Sequence, residues 1–182
     1  MQQSVRRIVT GNNALGKSVI LLDEAAHRIT SHPDRPGRGL TELWVTDSAP
    51  ARNVGSDDPT EQPVELEPPS KGTIFRFFQV APDSRSAHLS PEEREEITAR
   101  AFEAMGAAHT RVNTSRHPAM HKTRTVDYIV LLSGEVTMLM DEGEVDLNPG
   151  DVVVQRGTNH AWVNRTEQPA VLVAVLVDAE PV

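Results

Sequence analysis

Short runs with strand character dominate the hydrophobic pattern. Apolar and β-branched residues cluster at Arg7 to Thr10, Ser18 to Asp23, Leu40 to Asp47, Thr73 to Val80 and Val126 to Leu132. Further runs follow at Glu135 to Met140, Val145 to Leu147, Asp151 to Gln155, Ala161 to Asn164 and Ala170 to Val177. Gly, Pro, Asn and Asp separate them, as turns between strands require. Many short strands with turn signals predict a sandwich or barrel. Asp141-Glu142-Gly143 reads as a hairpin turn, with Gly143 supplying positive φ. Two stretches break the pattern. Residues 48–72, with Pro50, Pro59, Pro63, Pro68 and Pro69, predict a long, mobile surface loop. His27 to Gly39 predicts a second loop.

One helix is predicted over 91–105. Ser90 suits the N-cap, Pro91 the first turn, and Glu92 and Glu93 the positive end of the helix dipole. Ile97, Ala101 and Met105 recur every four residues with Phe102 beside them, giving one apolar stripe for packing on the outside of the strands. Gly106 is placed to end the helix.

The chain of 182 residues suits a single domain spanning 1–182. Its charge of −8 disfavours sequence-independent binding to nucleic acid. There is no cysteine, so neither disulfides nor thiolate chemistry enter. The N-terminal residues lack the apolar stretch of a signal peptide, and runs such as Val19 to Leu22 are too short to span a bilayer. A cytoplasmic protein that does not enter membranes is expected.

Candidate chemistry concentrates in the last third. The chain reads His121-x-Thr123-x-x-x-Asp127, then six residues to Gly134. Later come Pro149-Gly150-Asp151 and Gly157-x-x-His160-x-x-x-Asn164. Two imidazoles and one carboxylate are the donor set of the facial triad that holds a divalent transition metal and leaves positions open. In an extended strand, residues 121, 123, 125, 127, 129 and 131 share one face. Thr123 and Asp127 then point where His121 points, Ile129 and Leu131 floor a cavity, and Tyr128 faces away. The competing reading of His121 and His160 is a pair of buried, hydrogen-bonded histidines. Asp127 either ligates directly or orients a histidine.

The segment 117–164 resembles the cupin family. That family's first motif is Gly, five residues, His-x-His, three or four residues, Glu, six residues, Gly. Its second is Gly, five residues, Pro-x-Gly, two residues, His, three residues, Asn. His121, Asp127 and Gly134 fall on the first, and Gly157, His160 and Asn164 on the second. Thr123 stands where the family has its second His, Asp127 is shorter than Glu, Ser115 replaces the leading Gly and Gln155 the Pro. The resemblance implies an all-β jelly-roll barrel with one surface helix. Its core would span 117–178, with strands and loops of 1–80 packed against it. It implies a metal site of His121, Asp127 and His160 for Fe, Mn, Zn or Ni, with Thr123 and Asp127 as catalytic candidates. It further implies a small, oxygen-rich substrate, a homodimer, and dioxygenase or lyase, decarboxylase or isomerase chemistry. A non-catalytic ligand-binding or sensor protein is the alternative, favoured by Thr123.

Four further features need weighing. His117 is a possible substitute ligand or a residue of the barrel mouth. Arg124, Gln155 and Arg156 could bind a substrate carboxylate if any faces inward. Trp162 shares parity with His160 and would wall the cavity. Gly11 to Ser18 (GNNALGKS) fits the phosphate-loop pattern, but a β-branched run follows it where a helix is required, so it is read as a hairpin turn.

Overall fold

The computed structural model describes residues 4–31 and 37–181. Its elements run β1 (Arg6–Asn12), β2 (Ser18–Ala25), β3 (Ile29–Ser31), β4 (Gly39–Thr46), β5 (Thr73–Val80), α1 (Pro91–Ala104), β6 (Thr125–Ser133), β7 (Val136–Met140), β8 (Glu144–Leu147), β9 (Val152–Arg156), β10 (His160–Val163) and β11 (Ala170–Asp178). The fold is all-β with one helix, as the pattern predicts. All ten predicted strands form, within a few residues at each end. The strand β3 is an addition: it lies inside the loop expected over 27–39, pairing Ile29 with Thr41 of β4. Residues 32–36 of that expected loop, and Met1 to Gln3, lie outside the described residues.

Six strands form a sheet in the order β3-β4-β5-β11-β6-β9, and three form a second in the order β10-β7-β8. The two sheets share one core. Ile129, Leu131, Leu172, Ala174 and Leu176 of the first meet Val136, Met138, Leu147 and Trp162 of the second. Burying a side chain such as Leu131 or Leu172 contributes about 1.5–3 kcal/mol each. Strand β11 is apolar throughout because it lies mid-sheet, between β5 and β6. Along β6 burial alternates as predicted, with Ile129 and Leu131 inward and Tyr128 53 % exposed. Gly134 closes the turn to β7 at φ +76°. A Cβ there would meet the Pro169 carbonyl at 2.5 Å, so no other residue fits.

The hairpin β1–β2 forms a separate two-stranded sheet. Its turn is the GNNALGKS segment: Asn13 Oδ1 accepts from the backbone N–H groups of Leu15 and Lys17, and Gly16 turns at φ +69°. No helix follows, so the phosphate-loop pattern has no helix N-terminus behind it. Buried Arg7 anchors the hairpin to Asp58, Thr60 and the Leu43 carbonyl.

The segment 48–72 departs from the expectation of a mobile loop. It has no regular structure, yet it is tied at several points. Arg76 donates to the carbonyls of Glu65 and Leu66, Leu66 N–H donates to the Met105 carbonyl, and Glu67 accepts from Arg124 N–H. Its prolines stop strand formation without freeing the chain. Helix α1 begins as predicted, with a full capping box between Ser90 and Glu93. Among the described residues no helix is long and apolar enough to cross a membrane.

Candidate metal centre and barrel interior

His121 and His160 are brought together by backbone pairing. Each donates its N–H to the other's carbonyl, at 2.9 and 3.0 Å. Such a hydrogen-bonded pair places both side chains on one face. The ring centroids lie 4.4 Å apart. Phe102 of α1 packs on His121 at 5.1 Å, Trp162 on His160 at 5.8 Å, and Phe78 on Trp162 at 5.6 Å. Trp162 therefore walls the site, as its parity predicts.

The Nδ1 contacts decide which ring nitrogen keeps its lone pair. His121 Nδ1 lies 2.9 Å from the Ala119 carbonyl. A proton on Nδ1 donated there leaves Nε2 with its lone pair, the arrangement found in metal-bound histidines. His160 Nδ1 faces two competing partners, the Thr158 carbonyl at 3.0 Å and the Gln155 amide nitrogen at 2.6 Å. The first selects the tautomer with a free Nε2; the second, donating to Nδ1, selects the opposite one. Burial pushes the His160 imidazole down to about 3, with His121 adding to it, and burial also lowers His121. Both rings are neutral near pH 7, as ligation requires.

Asp127 lies on the expected face, 5 % exposed. Thr123 and Thr125 are buried beside it, and their hydroxyls are 2.7 Å apart. Thr125 lowers the Asp127 carboxyl, and either hydroxyl can be the donor in the Thr123–Thr125 contact. One carboxyl oxygen, Oδ1, is buried with no hydrogen-bond partner. Burial pushes the Asp127 carboxyl up to about 6, against the opposing pull of Thr125 and Arg76.

Arg76 was not legible as a site residue. It lies across the sheet, in register with Ala174 and through it with Ile129, one step along the inner face from Asp127. Only 2 % exposed, it pairs with equally buried Glu42 at 3.0 Å. Both Glu42 carboxyl oxygens and Arg76 Nε lack hydrogen-bond partners, so the contact is ionic without hydrogen-bond geometry. The available signal was parity: in Thr73 to Val80, Arg76 occupies an inward position between Ile74 and Phe78.

The other candidates separate cleanly. Gln155 faces inward, 2 % exposed, opposite Asp127 in register. Arg124 and Arg156 are exposed. His117 lines a cavity near the start of α1, and its Nδ1 accepts from the Ala119 N–H. Asn164, fully buried, is a clamp: it donates to the Val80 and Gln168 carbonyls and accepts from Thr166.

His121, Asp127 and His160 do not form a set of three with ligand atoms within 4.8 Å of one another. Among the described residues only His27, Asp58 and Glu61 do so. Those are already engaged: Asp58 by Arg7, and Glu61 by Arg28 at 2.7 Å and His27 at 2.5 Å. The interior set fits a metal by its chemistry: two neutral imidazoles and an orphaned buried carboxylate oxygen.

The cupin domain family model matches residues 108–176. The chain is 31 % identical over 166 residues to phomopsin biosynthesis cluster protein C' of Diaporthe leptostromiformis, covering 85 % of this chain and 78 % of that one. It is 26 % identical over 191 residues to the cupin-domain-containing oxidoreductase virC of Hypocrea virens, covering 100 % and 79 %. Among solved structures, it is similar to a Cupin 2 conserved barrel domain protein from Salinispora arenicola CNS-205, at 17 % identity and TM-score 0.41, covering 78 % and 76 %.

Proposed function

The chain belongs to the cupin family, and on that footing we propose that it is a metal-dependent enzyme, an oxidoreductase acting on a small organic molecule. The observation that carries the reading is the bridged pair of neutral histidines at the head of the barrel interior. His121 and His160 would hold a divalent transition metal through Nε2, and Asp127 would bring the negative charge. When bound, such a metal supplies Lewis acidity and, if it is iron, redox chemistry with oxygen. The names of relatives such as virC support the redox assignment over lyase or isomerase chemistry.

The chain's own residues supply the rest. Phe102 and Trp162 pack on the imidazoles and hold the rings in place. Burial pushes the Asp127 carboxyl up to about 6, and its Oδ1, which makes no hydrogen bond, would be the oxygen open to a metal or a proton. Thr125 acts on that carboxyl and is itself hydrogen-bonded to Thr123. Gln155 and the Thr158 carbonyl set the tautomer of His160.

One observation favours a second reading. The three donor groups do not converge within 4.8 Å, which suits a pocket that binds a small ligand without turnover. Elemental analysis by plasma mass spectrometry, followed by oxygen uptake with the loaded protein, decides between them. Near-stoichiometric Fe, Mn, Ni or Zn that is lost in both His121→Ala and His160→Ala supports the enzyme. Protein that takes up none of these metals on titration overturns it.

A further inference from the structure

Two cavities lie end to end beneath α1. The helix presents Arg94, Ile97 and Thr98 to the first, of about 360 Å³. It presents Ala101, Phe102 and Met105, the following turns, to the second, of about 230 Å³. Arg38 lines both, and the neighbours Ala81 and Val80, Pro118 and Ala119, divide between them. The apolar stripe of α1 is thus a roof over cavity space as well as a packing face.

The two cavities differ in chemistry. The second is walled by Leu40, Leu66, Phe78 and Trp162 and reaches His121. The first carries Arg38, Arg85, Arg94 and Arg116, with Asp83 as its acidic residue. In a chain of net charge −8, this is a local concentration of positive charge. Two of the four are committed: Arg38 pairs with Asp83 at 2.7 Å, and Arg116 donates to the Met140 and Gly143 carbonyls. Arg85 and Arg94 make no side-chain hydrogen bond or ion pair among the described residues. Unneutralised guanidinium groups facing a cavity suit an anionic ligand group.

We propose that the two cavities form one binding site for an amphipathic organic anion, its carboxylate or phosphate held by Arg85 and Arg94 and its apolar body running under α1 to His121. This rests on the reading of the histidine pair as the reacting end. It narrows the substrate to an acid with an apolar body, and places recognition on residues well separated in sequence from the metal candidates.

The test is calorimetric titration of the full chain with 4-phenylbutyrate, 4-phenylbutan-1-ol and inorganic phosphate. Arg85 and Arg94 are exposed, so Arg85→Ala/Arg94→Ala should fold. Phenylbutyrate should bind the wild type more tightly than phenylbutanol and lose about tenfold or more in the double variant, the worth of a charge-assisted contact. Phenylbutanol should be unaffected. Ala104→Trp, at the exposed edge of the apolar cavity, should weaken both organic ligands and leave phosphate unchanged. Equal binding of acid and alcohol, or acid binding insensitive to the arginines, overturns the proposal. Phosphate binding that needs the arginines while phenylbutyrate binding does not also overturns it. Neither metal nor turnover is needed: the same result in wild-type protein stripped of metal with chelator keeps this inference separate from the fate of the metal reading.

Discussion

The histidine pair and the Glu42–Arg76–Asp127 cluster are both buried in the barrel, but they are satisfied to different degrees. His121 and His160 are uncharged, locked by reciprocal backbone bonds, and each has an acceptor for Nδ1. The cluster is ionic: Glu42 and Arg76 pair at 3.0 Å, while Glu42 Oε1 and Oε2, Arg76 Nε and Asp127 Oδ1 make no hydrogen bond. Buried polar groups are ordinarily paired, because leaving one unpaired costs about 1–3 kcal/mol. The first region is a finished scaffold that offers two nitrogen atoms. The second is held by charge attraction, with Arg76 and Glu42 paired at 3.0 Å inside the sheet.

Three changes break or sharpen that contrast, from the largest effect to the smallest. Arg76→Met should destabilise the metal-free protein by about 3–5 kcal/mol in denaturant unfolding, because it strands the Glu42 charge. Glu42→Gln/Arg76→Met should recover most of that loss. If the single variant costs less than about 1 kcal/mol, the cluster is wetter than the structure shows.

Asp127→Asn should act in the opposite direction. The folded carboxyl is raised from 3.8 to about 6, so the native state binds its proton more tightly than the unfolded chain does. Its contribution is therefore favourable below pH 3.8 and is lost as pH rises to about 6. Above that the charged form costs on the order of 3 kcal/mol. Metal-free Asp127→Asn should be the more stable protein at pH 8 and show no advantage at pH 3.5. A variant no more stable at pH 8 would show that the carboxylate is already compensated. Gln155→Leu, the mildest, should cost about 1 kcal/mol. It should also shift the nitrogen-15 signals of His160 toward the tautomer with a free Nε2. Unchanged signals would show that the Thr158 carbonyl alone decides it.

The fold was legible because local rules and the fold agree. Inner positions of β6 alternate strictly, so parity alone placed Asp127, Ile129 and Leu131 inside and Tyr128 outside. Ser90 and Glu93 set the start of α1 whatever packs above it. The histidine pair followed from motif spacing. What stayed hidden depends on contacts between distant segments. Arg76 looked like one charge in an apolar strand until Glu42 came opposite it, and the cationic cavity gathers arginines from residues 38 to 116. The segment 48–72 looked free because prolines erase strand pattern, whereas its anchors are backbone carbonyls that Arg76 finds only in the folded chain. The strand β3 was missed because three residues are too few to show a period.

Visible absorption during titration of the metal-free protein with Co(II), with His160→Ala alongside, tests the central claim most directly. The account predicts d–d bands that saturate at one Co(II) per chain and are absent in the variant, while both proteins share one far-ultraviolet circular dichroism spectrum. Wild-type protein that develops no band, or a band that survives His160→Ala, would contradict a metal centre on the histidine pair.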